Sequence, residues 1–308
     1  MEQEIVEQIK NHNLIFKLDE PLSKYTTLKI GGPARYLVFV RNINELIKIL
    51  QIAKWYNQKI LIIGAGSNLL ISDEGFDGIV IKLKNELCKI DLKSQELIAY
   101  GGAMLPMVIK TAVDAGLSGL EELFGIPGTV GGAVIMNAGT KIACISDNLE
   151  YIEVIKTDEP EDGLIRLNKN EINFDYRTSG LEENYVIVKV VFRLKSSNSE
   201  MLKARINEVL LERIKTQPLG TFNAGCIFKN PKHSFFTSAK LIEECGLKGY
   251  RVGDAYVSDK HANFIINRQN ATAKDFVEIM THIIKVVKEK FNVELEPEIK
   301  LIGLKLDI

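Results

Sequence analysis

Two charged side chains, Arg177 and Glu298, stand where a charge could be put to chemical use, and any one of the four cysteines could do chemistry. Arg177 lies in Phe174-Asp175-Tyr176-Arg177-Thr178-Ser179, flanked by turn formers and followed by Gly180, so it is either a surface arginine or a clamp for an anion. Glu298 stands between Pro297 and an extended tail, which holds it more rigidly than a loop carboxylate, although its acidic neighbours Glu294 and Glu296 also fit a solvated face. Cys226 begins Cys226-Ile227-Phe228-Lys229-Asn230-Pro231, read as a short strand cut off by proline. The cysteines Cys88, Cys144, Cys226 and Cys245 are far apart, with no Cys-x-x-Cys or Cys/His cluster, so neither a zinc site nor a disulfide framework is indicated.

Two glycine-rich stretches come next in chemical interest. Phe124 to Gly139 is apolar and interrupted by five glycines and Pro127. Glycine removes the Cβ that holds a ligand away, so such a loop either presents backbone N–H groups to a flat or phosphorylated cofactor or is a tight turn between core layers. Gly64-Ala65-Gly66-Ser67-Asn68-Leu69-Leu70 follows a short buried strand. It departs from the dinucleotide fingerprint, because Leu69 occupies the third glycine position and no crossover helix precedes the next strand at Ile79 to Leu83. A nest of N–H groups for a pyrophosphate, or a plain glycine-rich turn, are the two remaining readings.

The elements that must position these residues follow from periodicity. Helices are expected over Glu2–Lys10, Asn42–Asn57 with Asn42 as cap, Met104–Ala115, Met201–Ile214, Ser238–Cys245 and a final helix with the stripe Phe276, Ile279, Met280, Ile283, Ile284 and Val287. Strands are expected over Tyr25–Val40 with a break at Gly31-Gly32-Pro33, Ile60–Ile63, Ile79–Leu83, Leu97–Tyr100, Tyr151–Lys156, Tyr185–Leu194, Tyr250–Val257 and the extended tail Val293–Ile302, which adds a strand to a sheet formed earlier. Ser196 to Glu200 reads as a linker and a candidate domain boundary.

With 308 residues, 46% hydrophobic and 26% charged at a net charge of −1, the chain is long enough for two or three domains, and the balanced charge disfavours nucleic acid as main partner. No run of about 18 apolar residues occurs, and the acidic N-terminus is unlike a signal peptide, so no membrane insertion and a cytoplasmic location are expected.

Taken together, four segments resemble the UDP-N-acetylenolpyruvoylglucosamine reductase family: Thr26-Thr27-Leu28-Lys29-Ile30-Gly31-Gly32-Pro33-Ala34, Gly64 to Leu70, Gly125-Ile126-Pro127-Gly128-Thr129-Val130-Gly131-Gly132-Ala133, and Leu295-Glu296-Pro297-Glu298. Tyr176-Arg177, Ala224 to Pro231 and Ser238 to Asn267 extend the likeness over nearly the whole chain, and the length is that of the family's shorter, second subtype. The resemblance implies an α+β fold: a two-part FAD-binding module of the vanillyl-alcohol-oxidase (PCMH) type and a C-terminal α+β substrate domain. The expected limits are 1–62 with 299–308, then 63–196, then 197–298.

The implied activity is reduction of UDP-N-acetylglucosamine enolpyruvate to UDP-N-acetylmuramate for peptidoglycan, with FAD bound non-covalently, NADPH as co-substrate and a monomeric state. By the same resemblance Ile63, Gly64, Ala65, Gly66, Ser67, Asn68 and Leu69, with Gly125, Ile126, Pro127, Gly128, Thr129, Gly131, Gly132 and Asn137, hold FAD. None of His12, His233, His261 or His282 falls in the glycine loops, which argues against a covalent flavin link. Substitution of Gly131 by valine is expected to loosen flavin before it loosens the fold.

Carried over likewise, Arg177 and Glu298 stabilise charge on the substrate carboxylate, Glu298 in its neutral form. The general acid falls at Cys226, where the family more often has serine; a thiol with an ordinary pKa of roughly 8.5 stays largely protonated at neutral pH and is a stronger acid than a hydroxyl. Asn230, assisted by Lys229, matches a diphosphate-binding position, and Tyr176, Arg213, Gln217 and His261 fall near substrate. Thr140 to Cys144 departs from the family pattern. Rival expectations are another FAD-dependent oxidase or dehydrogenase of this fold, or a flavin-binding protein without turnover.

Overall fold

Tyr185–Arg193 is apolar on both sides, as a strand must be when neither face meets water. Val186 and Val188 pack into one core, and Ile187, Val190 and Phe192 into another. The change of parity is made by a bulge: pairing with Leu149–Lys156 slips between Ile187 and Lys189, and every later side chain changes face. In the computed structural model, which describes residues 2–181 and 184–306, this strand is the centre of a five-stranded antiparallel sheet. Its order is Ile165–Asn168, Leu149–Lys156, Tyr185–Arg193, Glu96–Tyr100, Ile90–Lys93.

Contacts divide the chain into two units. Unit 1 comprises residues 1–18, 36–65 and 78–212, and unit 2 residues 19–35, 66–77 and 213–308. Among the described residues, unit 1 has two cores. One packs the helices Leu105–Asp114 and Val130–Ile135 on the five-stranded sheet. The other gathers Leu46, Ile49 and Leu50 of the helix Ile43–Trp55 around Val38, Ile79 and Ile81 of a four-stranded sheet, ordered Ile15–Pro21, Pro33–Val40, Phe76–Leu83, Ile60–Ile62. Asn42 caps that helix as expected, its side chain accepting the N–H of Glu45 at 3.0 Å.

Unit 2 is built on the helix Ala273–Phe291, whose expected stripe is buried. Thr272 and Asp275 form its capping box, and the Asp73 carboxylate accepts the Ala273 N–H at 3.0 Å, an anion at the positive end of the helix. The tail strand Lys300–Ile302 pairs in parallel with Leu69–Ile71. The expected three-part division of the chain has its outer limits, residues 1 and 308, outside the described residues.

Several expected elements differ. The expected break at Gly31-Gly32-Pro33 is present, with Gly31 at φ +135° and the Gly31 and Gly32 carbonyls accepting the N–H groups of Ser23 and Leu22, but of Tyr25–Val40 only Pro33–Val40 is strand. Tyr250–Val257 is two short strands, Arg251–Val252 and Ala255–Val257, reversing at Gly253 with φ +54°. Cys226–Pro231 is not a regular strand: it bends at Ile227 and makes an isolated bridge between Phe228 and Pro297. Ser196–Glu200 is no loose linker: Lys195–Ser196 pairs with Leu117–Ser118, and Asn198 accepts the N–H groups of Glu200 and Met201 at the start of the helix Ser199–Thr216.

Candidate active site

The apolar glycine stretch contains a helix. Thr129 caps Val130–Ile135, its hydroxyl accepting the Gly132 N–H at 3.4 Å. Gly125 and Gly128 adopt φ +82° and +135°, a region open to glycine, and bring the chain round so that the Gly128 carbonyl accepts the Leu105 N–H at 3.0 Å. Ile126 N–H is taken by Leu123, and Pro127 completes the turn. Gly131 donates to the Gly101 carbonyl at 2.9 Å, and a Cβ there would sit 2.9 Å from that oxygen. The expectation that Gly131 substitution loosens flavin first is thereby corrected, because the glycine is required by protein packing. Gly132 differs: it is exposed, and a Cβ would meet only the Thr129 hydroxyl at an ordinary 3.5 Å.

In the first loop Ile63 is buried and donates to Ile81 at 2.9 Å, while the Gly64 carbonyl accepts from the ammonium of Lys82. Burial, and secondarily Lys84, pull Lys82 down to about 8. Gly64 packs on Thr129, whose hydroxyl would lie 2.4 Å from an added Cβ. Ala65, half-buried, ends this part of unit 1. In unit 2, Gly66 has φ +64° with its Cβ direction blocked by the Tyr25 carbonyl at 2.2 Å, and its own carbonyl accepts the Thr27 N–H at 3.1 Å. Ser67 is half-buried; Asn68 donates from Nδ2 to the Glu298 carbonyl at 3.1 Å, and Leu69 begins the strand paired to the tail.

Arg177 belongs to unit 1, in a turn where Asp175 and Thr178 exchange backbone hydrogen bonds at 3.1 and 3.3 Å. It has φ +60°, a rare conformation for a residue with a side chain, and its guanidinium carbon lies 5.1 Å from the Tyr176 ring centroid. Cys226 and Glu298 belong to unit 2, where the residue after Cys226 is bonded to the Glu298 backbone. The Glu298 N–H donates to the Ile227 carbonyl at 2.7 Å, and the Lys229 N–H donates to Glu296 at 2.8 Å. Lys229 also pairs with the Glu296 carboxylate at 3.7 Å. Asn230 Oδ1 accepts the Ser238 N–H at 3.0 Å, so that side chain is oriented by the start of a helix.

Arg213, largely buried, is pulled below the ordinary arginine range by that burial, with Cys226 near enough to oppose the shift. Gln217 continues the same helix end, donating its N–H to the Arg213 carbonyl at 2.8 Å. His261 Nδ1 accepts the Asn263 N–H at 3.3 Å, and burial pulls the imidazole below its ordinary value.

Two holders of the site carry little signal in the sequence. Asn263 is 3% exposed; Nδ2 donates to the Phe228 carbonyl at 2.8 Å, Oδ1 accepts the Phe228 N–H at 3.0 Å, and its carbonyl accepts the Ile227 N–H at 2.9 Å. One amide thus replaces a neighbouring strand. Lys82 gives the clearer hint, a charge within the otherwise apolar Ile79-Val80-Ile81-Lys82-Leu83.

The glycine stretch passes a test for a cofactor. Asn137, 8% exposed at φ +40°, spends its Nδ2 on the Asp175 carbonyl at 3.0 Å, and its Oδ1 is buried without a hydrogen-bond partner. A buried acceptor left open calls for a donor from outside the chain. The edge of an isoalloxazine offers one. In the same stretch Gly132 is exposed, and an added Cβ there would meet only the Thr129 hydroxyl at 3.5 Å.

Residues 33–159 match the FAD-binding domain family, and residues 217–302 match the C-terminal domain of UDP-N-acetylenolpyruvoylglucosamine reductase. The chain is 45% identical over 297 residues to a UDP-N-acetylenolpyruvoylglucosamine reductase of Caldicellulosiruptor saccharolyticus, covering 94% of this chain and 93% of that one. It is 40% identical over 288 residues to that of Clostridium kluyveri, covering 93% of each. The crystal structure of the reductase from Thermus caldophilus superposes with a TM-score of 0.82 at 38% identity, over 94% of this chain and all of that one, 100%. No helix among the described residues is long and apolar enough to cross a membrane. With this likeness spanning both units, the α+β chain belongs to the UDP-N-acetylenolpyruvoylglucosamine reductase family, whose FAD-binding and C-terminal domains it carries.

Proposed function

We propose that this chain reduces UDP-N-acetylglucosamine enolpyruvate to UDP-N-acetylmuramate for peptidoglycan, with NADPH as reductant, acting in the cytoplasm as a monomer. The observation that carries the reading is the pairing in unit 2 of the segment after Cys226 with Pro297-Glu298, through the 2.7 Å bond from Glu298 N–H to Ile227 and the Phe228–Pro297 bridge. A thiol and a carboxyl thereby come from adjoining backbone. FAD, when bound, supplies the two-electron chemistry.

The chain's own residues divide the remaining work. Ile63 to Leu69 and the residues Gly125 to Thr129, Gly131, Gly132 and Asn137 would line the FAD site, Gly131 by letting the backbone pack closely behind it and Asn137 by its open Oδ1. Arg177 neutralises the substrate carboxylate as negative charge grows there, and Glu298 in its neutral form adds a hydrogen bond. Cys226 keeps a proton on Sγ and releases it to the alkene carbon bearing the carboxylate, so the thiol must be protonated before each turnover. Tyr176, Gln217, Lys229, Asn230 and His261 hold the sugar nucleotide, Asn230 at the diphosphate.

Cys226→Ala tests the assignment by stopped flow. Reduction of bound flavin by NADPH should stay within about threefold of wild type, while reoxidation by the enolpyruvyl sugar nucleotide should slow by roughly 10²- to 10⁴-fold, the usual contribution of a general acid. Equal slowing of both half-reactions removes Cys226 from the role. A colourless protein that does not take up FAD removes the whole reading.

A further inference from the structure

We infer that Ser179, together with Asn137, is a positioning residue for Arg177, tying the Arg177 turn to the helix inside the glycine stretch. Ser179 is 1% exposed, and its hydroxyl donates to the Ile135 carbonyl at 3.0 Å. Ile135 is the last residue of the helix Val130–Ile135, where carbonyls lack partners within the helix. On the other side of the turn, Asn137 Nδ2 donates to the Asp175 carbonyl at 3.0 Å. The two bonds bracket Arg177 from Asp175 to Ser179 and end on one short stretch of chain, 135–137.

Arg177 needs such a bracket. At φ +60° a non-glycine residue is held in a sparsely populated conformation, which persists where surrounding contacts over-determine it. Within the turn itself the Asp175 and Thr178 backbones exchange hydrogen bonds, the Asp175 carboxylate accepts the Tyr176 N–H at 2.7 Å and the Thr178 hydroxyl accepts the Gly180 N–H at 3.1 Å. Those local bonds shape the turn but do not fix where it stands on unit 1. Ser179 and Asn137 do. Asn137 also carries the open Oδ1, so the residue offered to the cofactor is the one that holds the arginine turn. Cofactor and substrate cation are thus referred to the same short piece of backbone.

This inference rests on Arg177 being the cation for the substrate carboxylate, and one readout of its test is independent of that. In flavin-loaded protein, Ser179→Ala should raise amide hydrogen exchange at Asp175 and Thr178 at least tenfold. Reduction of flavin by NADPH should change less than twofold, and reoxidation by the enolpyruvyl sugar nucleotide should slow 10- to 100-fold. Ser179→Thr, which keeps the hydroxyl, should recover both exchange protection and reoxidation. Unchanged exchange in Ser179→Ala, or a loss shared equally by the two half-reactions, overturns the inference. Raised exchange in a protein whose wild type is reduced by NADPH but not reoxidised by the sugar nucleotide supports the tie and overturns the substrate reading instead.

Discussion

In the glycine stretch of unit 1 the chain is held by other backbone: Gly131 on Gly101, Leu105 on Gly128, Val130 on Ala103 at 2.8 Å. In the segment around Cys226 in unit 2 it is held by a buried side-chain amide, with Asn263 taking both the N–H and the carbonyl of Phe228. The first device depends on absent atoms and the second on atoms in place. Backbone packing tolerates no added volume, yet leaves few polar groups to orphan. The amide tolerates small changes of volume but, once removed, leaves paired groups buried and unsatisfied.

The sharpest test of that contrast is Asn263→Leu. Phe228 is 1% exposed, so its N–H and carbonyl would be stranded, each at about 1–3 kcal/mol. A loss of roughly 3–5 kcal/mol in urea denaturation is expected. A shift below about 1 kcal/mol would mean that the amide does not hold the segment.

Next in size is a pair of alanines in one helix. Gly131→Ala puts a Cβ 2.9 Å from the Gly101 oxygen and should destabilise by about 1–3 kcal/mol through overpacking. Gly132→Ala has room and should raise helix stability by roughly 0.5–1 kcal/mol, while weakening FAD retention by crowding the exposed side. Melting curves and flavin occupancy read the two effects separately. Equal behaviour of the two variants breaks the distinction between glycine for packing and glycine for ligand.

The smallest effect concerns pH. Burial holds the His261 imidazole below its ordinary value of 6.5, so the unfolded chain takes up a proton at higher pH than the folded one. The stability contributed by keeping it neutral is present above pH 6.5 and is lost as pH falls from there through the folded value. Urea midpoints at pH 7.5 and 5.5 should fall more steeply for wild type than for His261→Gln. Parallel slopes would place the acid sensitivity elsewhere.

Much of this is legible in the sequence where local rules act alone. The helix Ile43–Trp55 and its Asn42 cap, and the stripe of Ala273–Phe291, follow from period and capping, because one helix face meets one core. Cys226–Pro231 misleads for a physical reason: its apolar residues are buried like a strand's, yet its partners are an asparagine and a single bridge. Tyr250–Val257 misleads because Gly253 reverses a run that alternation alone would extend. Ser179 is silent, since nothing local says that its hydroxyl reaches Ile135.

The sequence by itself determined the chemistry on offer: two glycine stretches, an arginine on a turn, a thiol and a carboxyl beside a proline, in an order matching one family. Only the tertiary structure decided which glycines face protein and which face outward, and which buried amide holds the thiol's segment. Those answers depend on bonds between residues 30 or more positions apart, such as Gly131 with Gly101 and Asn263 with Phe228, separated by 35 positions, and no local pattern encodes what will lie opposite.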